Sequence, residues 1–306
     1  MSKKKEVITV QKSEDEILYE KGKQLYNEGR FAEAFSVYMK AAEMGNDMAQ
    51  SSIAIMYFNG EGVEKDIDEF VKWFIKVGES GNAYVQYQLY KMYYYGQFVE
   101  QDEEKAMEWL RRAAFGYYED AMVDYGLREI DSAKDFDEAF ISDGYRKLID
   151  AAWFNNKRAQ YHYSKLLADG LFGYNIDIRE SFKWARKAAQ RGPAYAQFYL
   201  GLKYYNGEGT AVNMESAFKW FHKAAKRGHL DAQKNVAAMY DEGKGVEQDK
   251  AKALEWLLKA AEQGDSEAMF SVFARYHHGI GVEADEAKAM EWAERYDKSM
   301  DNNYND

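Results

Sequence analysis

The stretch Ala196-Gln-Phe-Tyr-Leu-Gly-Leu-Lys-Tyr-Tyr-Asn-Gly-Glu-Gly209, then Thr210-Ala-Val-Asn213, then Met214-Glu-Ser-Ala-Phe-Lys-Trp-Phe-His-Lys-Ala-Ala-Lys-Arg-Gly228 reads as one helix-turn-helix unit. Its first part places Ala196, Leu200, Lys203/Tyr204 and Gly207 near one helical face, by the spacing of three and four. Gly207 ends that helix, because a left-handed backbone is cheap only for glycine. Asn213 is a suitable N-cap for a second helix. That helix carries Ala217, Trp220 and the Ala224-Ala225 pair inward, and Gly228 closes it.

The unit recurs. Trp73 and Trp109 lie 36 residues apart, and Trp184, Trp220, Trp256 and Trp292 follow one another at the same interval. The small residue that opens each unit keeps step: Ala49, Val85, Ala121, Ala159, Ala196, Ala232 and Ala268. The counterparts of Asn213 are Asp66, Asp102, Asp177, Asp249 and Asp285, and the pairs Asp66/Glu69 and Asp177/Glu180 have capping-box spacing. Small openers and Ala-Ala pairs let neighbouring helices approach closely, while each Trp fills the space between one unit and the next. One helix pair cannot bury such a face alone, so the units must stack. The spacing predicts an all-α solenoid of about eight helix-turn-helix repeats over residues 14–297, with flexible tails at 1–13 and 298–306.

The unit Ala-x-x-x-Leu-Gly-x-x-Tyr-x-x-Gly-x-Gly-Val-x-x-Asp-x-x-x-Ala-x-x-Trp-x-x-x-Ala-Ala-x-x-Gly closely resembles the Sel-one-like repeat, a relative of the tetratricopeptide repeat. Tyr57, Tyr93, Tyr204, Tyr240 and Tyr276 occupy its Tyr slot, and the double glycine stands at Gly60/Gly62, Gly207/Gly209, Gly243/Gly245 and Gly279/Gly281. The first unit, from Tyr19 to Glu43, is more similar to a tetratricopeptide repeat proper, with Gly22, Tyr26, Gly29, Phe31, Ala34, Tyr38 and Ala41 in place. The resemblance implies a right-handed α/α superhelix that acts as an adaptor or scaffold.

The pattern breaks in three places. The unit opening at Ala121 lacks the double glycine, offers Tyr145 in the Trp slot and is two residues longer, with Trp153 outside the usual slot. Altered helix lengths and a local change of curvature are expected near 128–158, making about 121–158 the irregular unit. The next unit has Phe172-Gly173 where the double glycine would stand. The last replaces the Ala-Ala pair with Tyr296-Asp297 and runs into a polar end.

Composition narrows the function. The net charge of −11 disfavours a phosphate-binding surface, so no nucleic-acid partner is expected; Lys3-Lys4-Lys5 reads as a solvated terminus. There are no cysteines, hence no disulfide, no thiolate nucleophile and no Cys-ligated zinc. No apolar run is long enough to span a membrane and no signal peptide is visible, so a cytoplasmic location is expected. The Gly-x-Gly pairs follow a helix rather than a strand and read as turns, not a phosphate cradle. The five histidines, His162, His222, His229, His277 and His278, show no chelating spacing, and the carboxylate pairs sit at capping positions. No catalytic residue, metal site or cofactor is expected.

One feature exceeds what the repeat needs. On each first helix the third, seventh and tenth positions lie opposite the buried stripe, yet they are rich in aromatic and apolar residues. Phe58, Tyr87, Tyr94, Tyr161, Phe198, Tyr205, Phe270 and His277 are the candidate partner-binding residues. In the family resembled, first helices line the concave surface, which suggests a Tyr-rich groove for a polypeptide. The alternative is that the rings seal contacts between successive first helices. A non-catalytic interaction module is the leading expectation, with self-association left open. An immunity or inhibitor protein that neutralises a toxin or effector is an alternative; a hydrolase or binder of cell-wall fragments is a remote one, since the relatives so described carry a disulfide in each repeat.

Overall fold

The computed structural model describes residues 12–132, 142–170 and 176–303. Sixteen helices and no strands occur among them. The chain divides into two compact units at residues 131/132, inside the stretch whose repeat pattern is irregular. The first unit stacks α1 (Glu14–Asn27), α2 (Phe31–Glu43), α3 (Asp47–Asn59), α4 (Ile67–Glu79), α5 (Ala83–Tyr95), α6 (Glu103–Phe115) and α7 (Glu119–Ser132). The second stacks α8 (Ser142–Trp153), α9 (Lys157–Asp169), α10 (Ile178–Ala189), α11 (Ala194–Asn206), α12 (Met214–Ala225), α13 (Leu230–Glu242), α14 (Lys250–Glu262), α15 (Ser266–His278) and α16 (Glu286–Asn303). Within each unit, the most extensive packing is between helices that are neighbours in sequence, as the repeat spacing requires.

Six second helices, α4, α6, α10, α12, α14 and α16, start where the caps predict. Asp66, Asp102, Asp177, Asn213, Asp249 and Asp285 all accept the N–H three residues on. The capping boxes predicted at Asp66/Glu69 and Asp177/Glu180 form only by half. The Asp66 N–H is already donated to the Tyr57 carbonyl, and the Asp177 N–H to that of Leu167. Glu69 and Glu180 turn instead to Lys72 and Lys183. The cap N–H therefore ties the second helix of a hairpin to the last turn of the first.

The core follows the repeat. The openers Ala49, Ala121, Ala159, Ala196, Ala232 and Ala268 are fully buried, and Val85 nearly so. Trp73, Trp109, Trp184, Trp256 and Trp292 are buried, Tyr145 fills the same slot in the irregular unit, and Trp220 is partly buried against Ala185, Ala189 and Leu200. A cation three residues after each of the six Trp in the repeat slot covers its ring: Lys76 at 4.0 Å, Arg112 at 4.8 Å, Lys187 at 3.7 Å, Lys223 at 4.3 Å, Lys259 at 4.0 Å and Arg295 at 4.5 Å. The Gln after most openers reaches back to the exposed end of the preceding helix. Gln86 Nε2 donates to the Gly78 carbonyl at 2.8 Å and Gln160 Nε2 to that of Ala152 at 3.0 Å. Such bonds satisfy carbonyls a helix end leaves without partners.

At the C-terminus, α16 continues to Asn303, past the boundary at 297 that the loss of the Ala-Ala pair suggested. The expectations for Phe172-Gly173, for most of the first tail and for residues 304–306 lie outside the described residues, as does the 133–141 part of the irregular unit.

Candidate partner-binding surface

In the first unit, the predicted aromatic residues separate into two environments. Tyr87 on α5 was expected on the open lining and is instead buried, at 6% exposure. Its ring packs on Tyr118 at 5.1 Å and Tyr90 at 5.7 Å, and its hydroxyl donates to Asp124 Oδ2 on α7 at 2.6 Å. Tyr94, two turns on, is half-buried; the Arg128 guanidinium lies 4.5 Å over its ring. Two successive first helices are thus joined by the very residues predicted to face a partner. Phe58 is exposed but stands elsewhere, in a cluster with Phe70 at 5.1 Å and Phe98 at 5.7 Å. Tyr84, in the first turn of α5, is 55% exposed and touches Tyr118, so the open aromatic edge lies one turn earlier than helical-wheel arithmetic placed it.

In the second unit the rings form supported rows. Tyr161 on α9 meets Tyr195 at 4.7 Å and Tyr199 at 5.3 Å, both on α11. Phe198 stacks on His229 at 4.5 Å, and Tyr205 lies 6.3 Å from Phe221. These three residues are half-buried. Phe270 is 53% exposed and leans on Phe273 and Tyr296. His277 is exposed, stacks on Phe273, and holds its Nδ1 2.8 Å from Glu286 Oε2. Rings of this set thus pack helix against helix, as Tyr87 and Tyr161 do, while Phe270 keeps about half of its surface accessible.

Two groups in the second unit are held away from their usual chemistry. His229 is the N-cap of α13, its Nδ1 accepting the Ala232 N–H at 3.3 Å, and burial pushes its imidazole below its ordinary pKa. Lys203 is fully buried, and its Nζ has no hydrogen-bond partner. The nearest carboxylate, Glu208 Oε2, is 3.6 Å away and the Tyr199 ring lies 4.7 Å below it. Burial draws the Lys203 pKa downward against the pull of Glu208. Among the described residues no group of three or more His, Asp or Glu is placed to hold a metal ion. No helix among them is long and apolar enough to cross a membrane.

Six Sel1 repeats match the chain, over residues 47–82, 83–114, 157–193, 194–229, 230–265 and 266–295. The chain belongs to the Sel1 repeat family. The gap between the second and third matched Sel1 repeats, 115–156, covers nearly all of the irregular unit. Among solved structures the Sel1 chain is similar to c5321, a protective antigen of uropathogenic Escherichia coli strains displaying an SLR fold. The TM-score is 0.74 and the identity 30%, over 94% of this chain and 65% of that one, so this chain spans less than two thirds of the antigen's length. It is also similar to a Sel1 repeat protein from Oxalobacter formigenes, with a TM-score of 0.72 and 26% identity over 98% of this chain and 94% of that one. No curated protein sequence is significantly similar to it. Sel1 repeat proteins are generally non-catalytic scaffolds that mediate protein interactions.

Proposed function

We propose that the chain is a non-catalytic interaction module that binds a polypeptide through the outward edges of the aromatic rings on its first helices. One observation carries the reading: Tyr94, Tyr161, Phe198, Tyr205 and Phe270 each rest on a neighbouring ring or guanidinium, while part of each remains accessible. Rings held in place from behind lose little conformational freedom when a partner covers them, which suits them to recognition.

The test is a Tyr94→Ser, Tyr205→Ser, Phe270→Ser variant, compared with wild type by affinity capture from the cells that make the protein. The expected result is loss of a specific partner with helical circular dichroism and melting temperature retained. Unchanged capture by a folded variant refutes the reading. Capture of a toxin-like enzyme that the chain inhibits narrows the module to an immunity or inhibitor protein.

A further inference from the structure

The second glycine of the Gly-x-Gly turn is not free to change elsewhere in the chain. A Cβ at Gly62 would lie 2.3 Å from backbone atoms of Phe31, one at Gly209 2.0 Å from the Ile178 oxygen, one at Gly245 2.2 Å from that of Met214 and one at Gly281 2.2 Å from that of Lys250. Each time the glycine presses on the start of the preceding second helix. In the α5–α6 loop this slot holds Phe98, which keeps the left-handed backbone at φ 64°. A side chain there costs backbone strain and cannot share the close approach of the glycines. Beside it, between the start of α4 and the loop, lies an open cleft of about 720 Å³.

Val71, Tyr93, Phe98 and Val99 give this cleft an apolar wall, and Phe98 is 51% exposed. Lys72 and Lys105 also line it, but Glu69 holds the first at 2.6 Å and Asp102 the second at 2.9 Å. Asp68 and Glu100 also line it; among the described residues neither is in a direct ion pair, and Lys72 and Lys105 act on them only from farther off. The surroundings reinforce their sign, since residues 12–131 carry 24 Asp and Glu against 13 Lys and Arg. A strained, half-exposed aromatic beside two carboxylates outside any direct ion pair, in an acidic neighbourhood, fits a planar cation on an aliphatic stem.

We propose that the cleft is a second docking site, which takes an arginine side chain from a basic segment of a partner protein. The guanidinium stacks on the Phe98 ring and donates to Asp68 and Glu100, a combination that the compact ammonium of lysine matches poorly. The site is in the hairpin-loop cluster around Phe98 and none of Tyr94, Tyr205 and Phe270 lines it, so the variants that test it differ from those that test the aromatic first-helix residues.

The test is a methyl NMR titration with N-acetyl-arginine methylamide, with the neutral citrulline analogue as control. Saturable shifts at Val71 and Val99 are expected, with citrulline at least roughly tenfold weaker. Phe98→Gly restores the residue the turn prefers; it should abolish the shifts while the melting temperature holds or rises. Asp68→Asn with Glu100→Gln should weaken arginine binding by about tenfold. Equal binding of citrulline, or retention of arginine binding by Phe98→Gly, overturns the proposal. So does a loss of several degrees in melting temperature in that variant, which would make Phe98 a structural plug. Loss of self-association on the same change would assign the cleft to a second copy of the chain and likewise overturn it.

Discussion

The Tyr87 hydroxyl donates to the Asp124 carboxylate at 2.6 Å, linking first helices that are 37 residues apart in the chain. The bond explains why a tyrosine on the predicted open face is buried: its ring covers the seam between hairpins and its polar tip ends on a charged acceptor. Tyr87→Phe keeps the ring and deletes the bond. Hydrogen bonds to charged groups stabilise by more than neutral ones, so a loss of about 1–2 kcal/mol in urea unfolding is expected, with partner binding preserved. An unchanged midpoint would show that the bond adds nothing to stability.

His229 makes the stability of the second unit sensitive to mild acid. Its cap requires an unprotonated Nδ1, and burial lowers its pKa from the ordinary 6.5. Between the lowered value and 6.5 the unfolded chain binds the proton and the folded chain does not. This contribution is therefore present in full above 6.5 and is lost as pH falls through the folded-state value. Asn46, Asn82 and Asn156 fill the same capping position elsewhere and do not titrate. His229→Asn should flatten the dependence of melting temperature on pH between about 5 and 7, whatever it does to the absolute value. An identical slope in both proteins would remove His229 as its source.

Lys203 occupies a slot filled by Met56, Met92 and Met239 in other hairpins, all buried. A buried ammonium with no hydrogen-bond partner and one carboxylate at 3.6 Å recovers little of its lost hydration. Lys203→Met should stabilise the protein by about 1–4 kcal/mol near neutral pH. The gain should shrink as pH rises toward 10.5. Burial lowers the folded-state pKa, so in that range the folded chain sheds a proton that the unfolded chain retains, and the wild type grows more stable with pH. Destabilisation of the variant would mean that the lysine holds a ligand or a water-filled network in place.

How far the sequence could be read differs between backbone and surface. Caps and openers depend on residues within a few positions of one another, and Asp66, Asn213 and Ala196 behave as their spacing predicts. The Lys or Arg over each Trp in the repeat slot was equally periodic and equally local, and could have been found from the three-residue interval. Half of each predicted capping box was not legible, because the competing acceptor for the Asp66 N–H is the Tyr57 carbonyl on the neighbouring helix.

The candidate surface was harder. A helical wheel gives the direction of a side chain from its own axis, and nothing about what the adjacent helix puts in front of it. Tyr87 and Phe270 hold the same position in their hairpins, yet one is 6% exposed and the other 53%.

By itself the amino-acid order determined the two-helix period, the helix ends and the residues that fill each interface, because these follow from contacts only three to a dozen positions apart. Only the tertiary structure decided which aromatic rings close seams and which keep an outward edge. It also decided that Phe98 stands beside an open cleft and that the buried Lys203 ammonium has no hydrogen-bond partner. Those outcomes depend on how neighbouring hairpins crowd against one another, a close-packing constraint that no spacing within one helix encodes.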